Sequence, residues 1–356
     1  MNVIKLFESC VVTKGAARSL IVDVQRGRQY FIPPSFSDLF NNKNVLDTNH
    51  LDTDPETRSV VKEYENFIID NDLGFYCSPD MIENFPVLNL KNWDYPAMIT
   101  NAIIEVDQSN FDQHYRIMQQ LTNEYLTRHI EINLHGICVH DDLEKILDKL
   151  DLLDLYSYNL ICCLEGSSHI ESAIRILKNR HKIFRCIIHS TGSNEVIESG
   201  RNNWGNIFLI KEAFSYKSCG IVDQFHFCSS VEHISEAYDH NSCLNRKIMI
   251  DINGNIKNCP GFESNHGNID DISIKDVLAA EGFTRYWNIN KDQVKSCRDC
   301  EFRYICTDCR AFLEDPADIY SKPLKCGYDP YSNTWEDWSS NPLKQAAINH
   351  YKITIN

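Results

Sequence analysis

No run of about eighteen apolar residues occurs in the chain, so no helical membrane span is expected. Positive charge is also scarce: 35 Lys and Arg stand against 50 Asp and Glu, a formal net charge of -15, and no basic stripe emerges from the mixture. Phosphate backbones and anionic membrane surfaces are bound by clustered Lys and Arg, so neither nucleic acid nor membrane is an expected partner. There is no low-complexity tract, no internal repeat at a fixed period, and no P-loop or dinucleotide fingerprint. A Ser-His-Asp set cannot be named from sequence order alone. The opening MNVIKLFESCVV lacks a basic region followed by a long apolar core, so no secretory signal is read and a cytoplasmic location is expected.

Cysteine, by contrast, is plentiful. There are 15, and without an export signal they read as metal ligands and buried thiols. Cys243 and Cys259 come first in an ordered set, Cys297, Cys300, Cys306 and Cys309 follow as C-x2-C-x5-C-x2-C, and Cys326 stands before Gly327. A C-x2-C step lets two thiolates converge on one metal or one cluster face, and the free N–H groups of such a knuckle can stabilise the sulfurs. Between the first two cysteines, Asn253-Gly254 reads as a two-residue hairpin turn joining Ile248–Ile250 to Asn255–Lys257, which brings Cys243 and Cys259 toward one end.

C-x10-G-x4-C over Cys243, Gly254 and Cys259, then the central run and the distant Cys326, resembles the SPASM domain, the auxiliary iron-sulfur module of many radical S-adenosylmethionine peptide maturases. The flanking NSCLNRKIMIDINGNIKNCP and CRDCEFRYICTDCRAF resemble the SPASM-domain peptide maturase of grasp-with-spasm systems, over about residues 219–337. The resemblance implies one or two 4Fe-4S clusters, a ribosomally made precursor peptide and an ATP-grasp ligase as partners. It implies that Cys243, Cys259 and Cys309 hold one cluster, and Cys297, Cys300, Cys306 and Cys326 the other. The family has three residues between the last two cysteines of the central run, whereas Cys306 and Cys309 are separated by two. The first set is one ligand short; Cys228, with His240 behind it, is the nearest upstream candidate, and an open iron site is the alternative. Zinc on the same cysteines is the other metal reading, ahead of structural disulfides.

Residues 1–80 read as a unit of their own: strands at Ser19–Val24 and Gln29–Ile32, helices over SFSDLFNN and TRSVVKEYENFIIDN, and a strand at Gly74–Cys77. This order resembles a winged-helix element that holds a leader peptide by strand addition; a cap over a barrel edge is the alternative. Residues 95–218 alternate strand and helix, from MITNAIIEV through HIEINLHGI, YNLICCLEG and IFRCIIHS to NIFLIK, which requires parallel strands and crossovers. The expected fold is therefore α/β: a partial (β/α) barrel of radical S-adenosylmethionine type between a winged-helix-like unit and a cysteine-rich SPASM domain at 219–337, with a tail at 338–356.

The radical enzymes hold their catalytic cluster on a C-x3-C-x2-C loop after the first barrel strand. DQSNFDQHYR follows MITNAIIEV here, and that spacing occurs nowhere in the chain, so neither S-adenosylmethionine nor radical chemistry is expected. Cys138, Cys162, Cys163 and Cys186 read as ordinary buried thiols, with Cys162 and Cys163 on opposite faces of one strand. His135, His169, His189 and Glu165 lie near expected strand ends, where barrel enzymes keep catalytic groups. Phe283, Tyr286 and Trp287 are expected to pack around the cysteine module. Two functions remain open: a maturation enzyme acting on a precursor, and a protein that presents the precursor to a ligase.

Overall fold

The computed structural model describes residues 3–47, 54–90, 94–137, 140–164, 166–200 and 204–355. The chain divides into two compact units that do not follow chain order: residues 1–94, 220–243 and 288–356 form one, and residues 95–219 and 244–287 the other. Each is described in turn.

The first unit begins with strands β1 (Val3–Leu6), β2 (Cys10–Thr13), β3 (Ser19–Asp23) and β4 (Arg28–Ile32), helices α1 (Pro34–Ser37) and α2 (Pro55–Asp70), and strand β5 (Gly74–Cys77). β2, β3 and β4 form an antiparallel meander, while β5 pairs antiparallel with β1. All five residues of β3 are buried. Side chains alternate between faces along a strand, so β3 must be covered on both sides. Ile21 packs with Phe36 of α1, Ile68 of α2 and Leu6. Leu20 and Val22 pack with Phe302, Cys306, Cys326 and Tyr328. Residues 1–94 therefore share a core with the cysteine-rich segment. The segment after residue 337 is packed as well: Ala347 and Ile348 are buried, and the Lys344 Nζ donates to the carbonyls of Leu324 at 2.9 Å and Cys326 at 2.6 Å.

The second unit is built on an eight-stranded sheet. It contains β6 (Asn101–Val106), β7 (His129–Ile137), β8 (Ser157–Cys163), β9 (Ile183–His189), β10 (Glu195–Ile197), β11 (Asn206–Ile210), β12 (Lys247–Ile250) and β13 (Ile256–Lys257), linked by helices α3 (Phe111–Glu124), α4 (His140–Asp151) and α5 (Ser167–Lys178). The order across the sheet is β10-β11-β9-β8-β7-β6-β12-β13, parallel except at the two edges. Ile250, Ile104, Ile132, Leu160, Cys186 and Ile207 stand in one row across six strands, and all are buried. Met118 and Leu121 of α3, Leu143 and Leu147 of α4, and Ala173 and Leu177 of α5 complete that core. One residue along, the register puts Glu131, Asn159 and Arg185 in a row on the opposite face. A parallel sheet covered on both faces reads as continuous apolar strands; this one carries polar residues on its second face.

The expected hairpin belongs to this sheet, because β12 adds parallel to β6. Its turn is longer than two residues. The Asp251 N–H donates to the Asn255 carbonyl at 3.0 Å, leaving a three-residue loop that ends on Gly254 at φ 80°. The Asp251 carboxylate accepts the N–H groups of Asn253 at 3.0 Å and Asn255 at 2.9 Å, which favours the longer turn. Phe283 and Trp287 also differ from expectation: they join the core of this unit, and the Tyr286 ring lies tilted against Phe262, with centroids 4.9 Å apart.

Leu160 lies at the centre of that core. Leu160→Ala is expected to cost about 2–5 kcal/mol of stability, as buried leucine truncations do, read as a lower urea midpoint; an unchanged midpoint would contradict this packing.

Candidate functional site

Four of the seven framework cysteines converge in the first unit. Cys297 and Cys300 bracket a single turn in which the Cys300 N–H donates to the Cys297 carbonyl at 3.0 Å. Cys306 lies in the core beneath β3, and Cys326 is bridged to Val222, whose N–H donates to the Lys325 carbonyl at 3.2 Å. Gly327 stands against the Glu336 backbone so closely that a Cβ there would overlap its carbonyl. Only glycine fits beside Cys326.

Burial pushes the Cys297 thiol up to about 12 and the Cys306 thiol up to about 11, and the nearby Lys291 ammonium works against both shifts. Cys300 is also raised, by burial and then by Cys297. Each group feels the others: Cys326 acts on Cys297 and Cys306, and Cys306 acts on Cys300. Cys297, Cys306 and Cys326 thus act on the Lys291 ammonium, and Cys300 adjoins Cys297 and Cys306. Burial opposes the charge of Lys291, but Cys306, Cys297, Asp308 and Cys326 more than offset it and hold its pKa above the ordinary lysine value. Among the described residues, no three His, Cys, Asp or Glu side chains are grouped as a single metal ion would require. A four-iron cluster asks for a wider arrangement, with one thiolate on each of four separate irons.

The first expected set is divided between the units: Cys243 and Cys309 lie in one and Cys259 in the other. The Cys259 Sγ accepts the Gly261 N–H at 3.3 Å, the sulfur contact expected of a knuckle. A Cβ on Gly220, at φ 80°, would fall 2.8 Å from the Cys309 Sγ. Cys228 is exposed, with its Sγ 3.7 Å from the Ser230 Oγ, and the Nδ1 of His240 is buried without a hydrogen bond.

In the second unit, the polar face of the sheet brings together two of the histidines. His135 Nε2 lies 3.5 Å from Glu105 Oε1, and Glu105 Oε2 accepts the Ile252 N–H at 3.1 Å. His189 is lowered by burial and then by the charge of His135. Asn133 reaches the Tyr216 hydroxyl at 3.4 Å, and burial followed by the charge of Glu131 raises that hydroxyl. His169 sits apart on α5. Glu165 and Cys138 fall outside the described residues. Cys162 and Cys186 are buried and Cys163 is partly exposed. Glu105, Glu131 and Tyr216 escape a reading of the sequence because their proximity depends on strand register; the polar residues at alternate positions of HIEINLHGI were the available signal.

The chain thus combines a mostly parallel α/β sheet with a set of buried and partly buried cysteines. No family model matches it, and no curated protein matches it. Among solved structures, it is similar to Streptococcus suis SuiB bound to S-adenosylmethionine, at 10% identity and TM-score 0.38, over 90% of this chain and 98% of that one. SuiB alone and SuiB bound to precursor peptide SuiA each give 12% identity and TM-score 0.37 over the same shares.

Glu131 provides a test of the polar face. Burial raises its carboxyl, against the pull of Arg185 and Lys247. A carboxyl raised on folding holds more protons than the unfolded chain, so it contributes stability below its unfolded value that is lost as pH rises through the folded value. Glu131→Gln should therefore flatten the fall in stability above the ordinary carboxylate range, measured by urea unfolding from pH 4 to 8; an unchanged slope would contradict the burial.

Proposed function

We propose that this chain is an iron-sulfur protein of ribosomal peptide maturation that acts on or presents a precursor peptide, together with an ATP-grasp ligase and without radical S-adenosylmethionine chemistry. The observation that carries the reading is the packing of Cys300, Cys306 and Cys326 in one cluster, with Cys297 one turn from Cys300 and the buried Lys291 Nζ 3.3 Å from the Cys306 Sγ. These four residues would hold a 4Fe-4S cluster, which supplies one-electron chemistry or a rigid cross-link when bound. The protein's own part is to bury the site, fix the thiols and supply a cation beside them.

For the peptide, support comes from the N-terminal half of the first unit. β4 ends its sheet, so it offers an edge for strand addition. Apart from that edge, a groove of about 630 Å³ beside β1 and β5 is lined by Leu6, Phe7, Phe75, Phe85 and Leu88, among others, and offers apolar side chains of a bound peptide a place to pack. The absence of C-x3-C-x2-C remains the ground for setting radical chemistry aside.

Three measurements test the proposal. Protein purified without oxygen should contain iron and acid-labile sulfide, and Cys300→Ser and Cys326→Ser should lose the same cluster; one zinc per chain without iron would reject the iron-sulfur reading in favour of a zinc-binding adaptor. Residues 1–94 share a core with the cysteine segment, so the peptide is better tested by a surface change than by truncation. Phe85→Ala should weaken binding of the precursor about tenfold, a loss of ~1.4 kcal/mol, with iron content unchanged. Equal affinity would reject the groove, and 5′-deoxyadenosine formed from S-adenosylmethionine would reject the non-radical assignment.

A further inference from the structure

Lys291 has 4% of its side chain exposed, and its Nζ lies 3.3 Å from the Cys306 Sγ and 3.9 Å from Asp308 Oδ1. Asp308 is already committed elsewhere: Oδ1 accepts from Arg310 Nη2 at 2.6 Å, and Oδ2 accepts from Asn241 Nδ2 at 2.9 Å. Arg310 is itself buried, its guanidinium also donating to the Ser321 carbonyl at 2.7 Å. Two buried cations thus share one carboxylate, which leaves a positive charge facing the thiols. With four thiolates on a bound cluster, the lysine N–H would face anionic sulfur.

We propose that Lys291 sets the reduction potential of the cluster held by Cys297, Cys300, Cys306 and Cys326, by donating an N–H to the Cys306 sulfur and placing a fixed positive charge beside it. The inference rests on the iron-sulfur reading above. A cluster of four thiolates is anionic, and one-electron reduction adds a further negative charge; a cation buried in low dielectric stabilises the reduced form more than the oxidised one. The electron comes from an external reductant such as dithionite. No covalent bond forms or breaks, and no proton transfer is part of the step. Lys291 is a positioning residue for charge, not a ligand.

The test uses the full chain, reconstituted without oxygen, with iron and sulfide counted before any potential is measured. In a potentiometric titration followed by electron paramagnetic resonance, Lys291→Met with full iron should show a reduced-to-oxidised ratio at least tenfold lower at the same applied potential, about 59 mV for a one-electron couple. Lys291→Arg, which keeps the charge, should stay within that limit. A Met variant with full iron and an unshifted potential overturns the role of Lys291 and leaves the cluster assignment standing. Wild-type protein that takes up zinc and no iron overturns both. If the Met variant takes up no cluster, the wild type decides: with nitrogen-15 lysine incorporated, the reduced cluster should show a lysine nitrogen coupling that disappears in Lys291→Arg. A spectrum without such a coupling contradicts the proposal.

Discussion

The structure of the first unit depends on burying Lys291, Asp308 and Arg310 together against sulfur. Removing three charges from water costs several kcal/mol for each ion unless partners replace the solvent. Here the partners are specific: Asp308 takes one hydrogen bond from Arg310 and one from Asn241, Arg310 reaches carbonyls of Ile319 and Ser321, and Lys291 is aimed at Cys306. The groups come from residue 241 and from both ends of the segment 291–321, so the charge set and the thiols are assembled by the same folding event. A metal centre there would be tied to folding in the usual way, since its ligands have no common site in the unfolded chain.

Around that set, the rest of the unit acts as insulation. β3 covers it with Leu20 and Val22 and is itself covered on its other face by α1 and α2. Next to Cys300, the Glu301 carboxylate accepts from Arg18 at 2.6 Å, and the Arg18 guanidinium lies 3.8 Å from the Phe31 ring. Lys344 ties the C-terminal segment to the carbonyl of Cys326. Contacts from two distant parts of the chain, residues 18–22 and Lys344, thereby fix residues adjacent to the thiols. The second unit is organised differently: one apolar sheet face packed by helices and one polar face bearing Glu105, Glu131, His135 and His189.

Much of the second unit was legible because its signals are local. HIEINLHGI marks β7 from first residue to last, and in the first unit Gly74–Cys77 likewise marks β5; in both, apolar residues and flanking turns coincide. The short edge strand Glu195–Ile197 lacked any such signal. What sequence could not supply was long-range pairing. β12 joins β6 across more than a hundred residues, and nothing within KIMI names its partner. The same holds for β3, whose five buried residues reveal two covered faces only once the covers are known. Among the thiols, the x2 spacing singled out Cys297, Cys300, Cys306 and Cys309 as candidate metal ligands, but the company of Lys291, 4% exposed beside Cys306, had no sequence motif. A lysine reads as surface until coordinates bury it.

The account stands on the nature of the centre between Cys297, Cys300, Cys306 and Cys326. X-ray absorption on anaerobically purified protein addresses it directly. The account predicts an iron edge with sulfur neighbours and a second shell of iron–iron scattering, both lost in Cys306→Ser. A zinc edge with four sulfurs at about 2.3 Å and no iron–iron shell would contradict it.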